Sequence, residues 1–209
     1  MAYSDFKTVA KVKTDFDLVT AQVRLFSDVS PIEPSEYLRL TLQRNLKVAF
    51  DNDTDKARSE LIIAPLLIEI REICDEKISL FSGREFNVDA ARGLTGYCDY
   101  LIAASEFSLE IEAPVITIAE AKNESTNSGL GQCIAEMIAA QSFNRERNTP
   151  IETIYGAVTT GRLWRFLKLV ERTVSIDTEE LAINDAEDKN VGKVLGILAA
   201  PLQHLCNFV

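Results

Sequence analysis

The sequence predicts an α/β domain: a mixed central sheet of about five strands flanked by helices. Three observations lead there. Apolar residues recur with helical spacing over 56–75, and from residue 78 the pattern turns to short extended runs. Two β-branched runs, 115–121 and 154–159, bracket a helical pattern at 128–144, as in a crossover between strands. The 209 residues are 46% apolar, which suits one domain with a sizeable core. Within that domain, 1–54 is expected to be a helical extension, 55–170 the core, and 171–209 a second extension with a closing helix.

Residues 5–26 mix charged and apolar positions without a clean period, so a short helix and then a short extended piece are expected. Pro31 and Pro34 mark a loop, and Pro34 at a first turn opens a helix to about residue 50, with Leu38, Leu42, Asn45/Leu46 and Ala49 as its stripe. Asp51 to Thr54 ends that helix and caps the next. The helix over 56–75 is apolar on most faces, which implies deep burial, and Pro65 should kink it. Glu60 lies just before that kink, where a buried carboxylate needs a cation or an ion-pair partner; pairing with Arg58 or with solvent is the plainer reading.

Strands are expected at 78–86, with Gly83 marking a bulge, at 97–104, and from Val115 to Ala121 after the acidic excursion 106–113. Leu130, Cys133, Ile134, Met137, Ile138 and Gln141 make 128–144 the clearest helix, with Gln132 and Glu136 one turn apart off that stripe. Strands follow at 154–159 and 163–170, with a short one at 174–176. Residues 179–189 are acidic and read as an exposed loop, and 191–206 as an amphipathic helix weakened by Gly192, Gly196 and Pro201.

The four cysteines are scattered without a C-x-x-C pair, so reduced buried thiols are expected rather than zinc or a disulfide framework. The single histidine, His204, excludes a multi-histidine metal site and strains a Ser-His-Asp reading. No apolar run approaches membrane-spanning length, the start MAYSDFKT does not read as a signal peptide, and a cytoplasmic location is expected. A net charge of −10 argues against a broad nucleic-acid footprint and leaves only local basic patches. Around Thr160 and Gly161, Arg162 and Arg165 read as phosphate contacts and Trp164 as a stacking platform; the alternative is an ordinary hairpin with Trp164 and Phe166 on one face. Gly129-Leu130-Gly131 fails as a dinucleotide loop, because the third glycine position is Ile134 and the approach is too long.

The chemistry concentrates in GYCDYLIAASEFSLEIEAPVITIAEAK, residues 96–122. Asp99 opens one apolar run, and Glu120-Ala121-Lys122 closes another. Alternation puts Glu120 and Lys122 on one face, and pairing of the two runs brings Asp99 to them. Oxygen ligands without His or Cys favour Mg²⁺ or Mn²⁺, with Asp99, Glu120 and the Ala121 carbonyl as expected ligands. Lys122 would orient water or stabilise charge on a phosphate. The plain alternative is a same-face ion pair on an edge strand, with Asp99 a turn residue.

Asp99, twenty intervening residues and then Glu120-Ala121-Lys122 resemble the signature of the PD-(D/E)XK nuclease superfamily. The resemblance covers about residues 55–170 and includes an acidic helix residue, Glu60, upstream. Gln132 resembles the glutamine behind this motif in type I restriction enzyme nuclease domains, and the chain is similar to compact stand-alone cyanobacterial members. Two departures are visible: Cys98 stands where the motif has proline, and Gln132-x-x-x-Glu136 lacks the tyrosine of the restriction subunits. The resemblance implies a restriction-endonuclease-like fold and Mg²⁺-dependent hydrolysis of nucleic acid, DNA before RNA, with Glu60, Asp99, Glu120, Lys122 and Gln132 catalytic. By analogy with small nucleases it adds a homodimer. The rival expectation is a binding or regulatory module that keeps the fold without cutting.

Overall fold

Among the described residues seven segments form strands, where about five were expected in the central sheet. They are β1 (Val19–Val23), β2 (Ser79–Glu85), β3 (Tyr97–Ala103), β4 (Val115–Ala121), β5 (Thr153–Thr159), β6 (Leu163–Val170) and β7 (Thr173–Ala182). The structure is a computed structural model and describes residues 1–106, 108–122 and 125–203. The strands join in one mixed sheet ordered β1-β7-β6-β5-β4-β3-β2. Pairs β1/β7 and β4/β5 are parallel, and the others are antiparallel.

Two of the seven were expected only as short pieces, within 5–26 and at 174–176, for different reasons. β1 is five residues long and half exposed, so it lacks a buried stripe. β7 runs through Asp177, Glu179 and Glu180, residue types depleted in strands. Their charges are answered across the sheet and from a helix: Arg24 and Lys193 meet Glu179, and Arg165 meets Glu180. The expected loop from 179 therefore begins only after Ala182. Gly83 also differs from expectation. Its φ is +59°, yet Ser82 pairs with Tyr100 and Arg84 with Cys98 without a register shift, so no residue is inserted.

Helices cover both faces. On one lie α2 (Glu36–Asn52), α4 (Ala64–Ile73) and α6 (Lys189–Ala199), packed with Ile102, Ile116, Trp164 and Phe166. On the other lie α1 (Val9–Phe16), α5 (Thr126–Glu146) and the N-terminal turn with Tyr3 and Phe6, packed with Leu101, Ile118 and Val158. The N-terminal and C-terminal segments thus add strands and helices to the same layers as 55–170. α5 is the crossover between parallel β4 and β5. Among the described residues, no helix is long and apolar enough to cross a membrane.

Pro65 reshapes its helix as its chemistry requires. The short α3 (Asp55–Arg58) runs into a π turn at Ser59–Ile63, closed by the Ala64 N–H on the Ser59 carbonyl, before α4 begins. Proline cannot donate to the carbonyl four residues back. That carbonyl belongs to Leu61, and Asn45 of α2 takes it instead through Nδ2 at 3.0 Å. The wider turn swings Glu60 outward. Its side chain is 62% exposed and pairs with Lys56 at 3.4 Å, so the expected buried carboxylate is a surface one. Cys98 and Cys133 are free and buried, as expected of reduced thiols, whereas Cys74 is disulfide-bonded, which corrects that expectation for it. His204 and Cys206 lie outside the described residues.

Candidate active site

β4 is buried at every position, as a central strand covered on both faces should be, and a glutamate sits inside it. Glu120 follows the alternation of Ile118 onto the α5 face and is 1% exposed. Lys122 continues the extended path: its N–H donates to the Thr159 carbonyl at 2.8 Å. Its ammonium turns back under α5, where Nζ donates to Glu120 Oε1 and, at 3.2 Å, to Gln132 Oε1. Gln132 Nε2 in turn donates to Glu136 Oε1 at 3.0 Å. Asp99 stands where β3 is about to pair with β4, one residue before the Tyr100–Ala119 pair. Its Oδ2 accepts the Ala121 N–H at 2.8 Å.

Space for the lysine stem comes from Gly129. A Cβ there would lie 2.9 Å from Lys122 Cγ and 2.6 Å from Val158 Cγ1. α5 is therefore admitted close to the sheet at the point where Lys122 passes beneath it. Gly131, two residues on, sits against the backbone oxygens of Phe6 and Thr8. The two glycines serve helix packing here.

Three acids share this region with one ammonium. Burial and the neighbouring Asp99 carboxylate push Glu120 up to about 8, against the pull of Lys122. Asp99 is also raised, mainly by burial, although the Ala121 N–H and Lys122 oppose it. Glu136, fully buried, is held well above the carboxylate range by desolvation and by Glu120. Burial works against the Lys122 ammonium, but Glu120 beside it more than compensates, and its pKa rises. At neutral pH the lysine is charged and Glu120, at about 8, mostly keeps its proton. Among the described residues Glu136 Oε2 has no hydrogen-bond partner, and the Glu120 carboxyl lies beside that of Asp99, near enough to share its proton.

The structure brings together Asp99, Glu120, Lys122, Gln132 and the backbone of Ala121. It does not bring Glu60 to them: among the described residues no hydrogen bond or ion pair links it to the cluster, and its charge is felt at Tyr100, whose hydroxyl is tied to Ser59. Trp164 is fully buried, gives its Nε1–H to Gly161 O at 3.1 Å and stacks on Phe166, so it has no face for a base. Arg162 is exposed, bonded to Asn184 and over the Phe50 ring. Arg165 shares a register row with Glu120 through Val158, two strands or about 10 Å away, and is engaged by Asn127 and Glu180. Glu136 escaped the sequence reading as a site residue. Its signal was an acid in the middle of the most buried helix.

Two surface cavities of about 640 and 690 Å³ lie elsewhere, the first beside Phe16, Arg92 and Arg145, the second beside Tyr37, Ile68 and Glu72. Among the described residues no group of three or more His, Cys, Asp and Glu side chains is placed to hold an ion. Two carboxylates do meet the needs of Mg²⁺, which commonly takes one or two and keeps several waters. The adjacent hard oxygens of Asp99 and Glu120 fit that demand. No protein-family model matches this chain, and no characterised protein matches it either.

Proposed function

We propose that this chain is a metal-dependent nuclease, or nuclease-like phosphodiesterase, that hydrolyses phosphodiester bonds of nucleic acid, DNA in preference to RNA. The observation that carries the reading is a crowded acid pair: Glu120, inside a β-strand and 1% exposed, has its carboxyl beside that of Asp99, near enough to share a proton with it, with the Lys122 ammonium against it. Two acids crowded together out of water cost stability unless a proton or a cation holds them. Asp99 and Glu120 would hold the Mg²⁺ or Mn²⁺, with the Ala121 carbonyl as a third ligand, and the ion would supply Lewis acidity at the scissile phosphate.

The chain's own groups do the rest. Lys122 is 25% exposed, so part of its side chain reaches the surface. Of its three N–H donors, one goes to Glu120 and one to Gln132; among the described residues the third has no partner. That donor is available to a phosphate oxygen or to the attacking water. Glu120 and Gln132 keep it aimed by occupying the other two. Asp99 is fixed against β4 by the Ala121 N–H. An acidic chain with net charge −10 gives the substrate little general attraction, so contacts local to the site must supply its affinity.

The same acidity favours the second reading, a binding or regulatory module that keeps this arrangement without cutting. So do the partners already on Asp99 Oδ2 and Glu120 Oε1. Cleavage of labelled single- and double-stranded DNA and RNA with Mg²⁺ or Mn²⁺ separates the two. Wild-type protein is expected to cleave in metal and not in chelator, and Asp99→Ala and Lys122→Ala to lose this. Cleavage that survives both substitutions would move the chemistry elsewhere.

A further inference from the structure

We infer that Glu136 is a positioning residue of this site: it fixes the side-chain amide of Gln132 so that the amide oxygen, and not the nitrogen, faces Lys122. The inference rests on the nuclease reading for its effect on turnover, but its geometry stands apart from it.

A glutamine amide has two unlike ends, and an ammonium has only donors. Lys122 can bond the oxygen end alone; the reversed amide would set N–H groups against N–H groups. The two ends of an amide are nearly the same size, so shape does not choose between them. Lys122 favours the oxygen end, and the group at the far end locks it there. There Glu136 Oε1 accepts the Nε2–H at 3.0 Å, and Glu136 is 0% exposed. An acid oxygen accepts whether its carboxyl is ionised or carries its proton on the other oxygen. The orientation therefore survives either state of Glu136.

The spacing shows how one helix face serves one lysine. Gly129, Gln132 and Glu136 fall at steps of three and four, so they line up along α5. Gly129 makes room for the stem of Lys122, Gln132 accepts from its head, and Glu136 holds Gln132. Among the described residues Glu136 Oε2 has no partner, and Oε1 bonds Gln132 alone. A fully buried acid with one bond is a poor stabilising element. Its single bond is the one that orients Gln132.

The test compares Glu136→Met, of similar length but without an acceptor, with Glu136→Gln, whose amide oxygen can replace the lost one. In Glu136→Met the Gln132 amide is free to reverse. Turnover of a DNA oligonucleotide in Mg²⁺ should fall about 10- to 100-fold, the usual size of a supporting-residue effect, with KM little changed. Thermal stability should hold or rise, because a buried carboxyl is removed. Glu136→Gln should recover most of the turnover. A merely structural role would instead lower stability in step with activity and leave Glu136→Gln no better than Glu136→Met.

Side-chain NMR of Gln132 and Lys122 gives a readout without substrate. The Gln132 amide protons should be dispersed in wild type and Glu136→Gln, and should collapse toward free-amide shifts in Glu136→Met, with the Lys122 ammonium signal moving too. Unchanged Gln132 and Lys122 signals in Glu136→Met overturn the inference whatever the enzyme does. The expected NMR change in a protein that cleaves nothing would support the positioning and defeat the nuclease reading.

Discussion

Glu120 ties the stability of this protein to pH in a way that can be worked out in advance. Folding takes its carboxyl from an ordinary 4.5 to about 8, chiefly by burial and then by the neighbouring Asp99. A raised carboxylate pKa means that the folded chain binds the proton more tightly than the unfolded one. Stability is then fully present below about pH 4.5 and is lost as pH rises toward 8. The interval of about 3.5 pH units, at about 1.4 kcal/mol each, comes to about 5 kcal/mol. For a domain of this size that corresponds to about 10–20 °C in melting temperature. The variant Glu120→Gln cannot ionise, while its amide oxygen can still accept from Lys122. In chelator, thermal melts from pH 5 to 8.5 should show the wild type falling steeply and Glu120→Gln falling less, so that the variant becomes the more stable protein at high pH. Glu136 is raised in the same direction and leaves the variant a residual slope. Parallel curves for the two proteins would refute the reasoning, because general repulsion in an acidic chain acts on both alike.

Two further outcomes follow from packing. Gly129→Ala would put a methyl 2.6 Å from Val158 Cγ1 and 2.9 Å from Lys122 Cγ; overpacking of about 1–3 kcal/mol should outweigh a helix gain of about 1 kcal/mol, and thermal melts with cleavage assays should show activity falling along with stability. Trp164 is the chain's single tryptophan and fully buried, so Trp164→Ala should cost about 3–5 kcal/mol in denaturant titration, and oligonucleotide binding should leave the native emission wavelength unshifted.

What could be read in advance follows burial. β3, β4, β5, β6 and α5 are central elements whose apolar runs or stripes are complete, and they fall close to where the sequence puts them. β1 and its neighbour β7 were harder. β7 carries acids that look like a solvated loop until their partners Arg165 and Lys193 arrive from other elements. Glu60 was misplaced by helix logic: the π turn adds a residue to one turn, so positions before it rotate relative to those after it. Asp99, Glu120 and Lys122 were legible because strand alternation is local. Gln132 was legible only through resemblance, and Glu136 not as a site residue, because a one-sided stripe was sought on a helix buried on most of its sides.

The claim that Asp99 and Glu120 form a cation site is tested most directly by calorimetric titration of the metal-free protein with Mn²⁺ at pH 7, repeated in buffers of different ionisation enthalpy. Glu120 is mostly protonated at that pH and must release its proton to bind. The account predicts saturable binding with release of about one proton per ion, abolished in Glu120→Gln and weakened in Asp99→Asn. Absence of saturable binding, or binding that Glu120→Gln leaves intact, would contradict it.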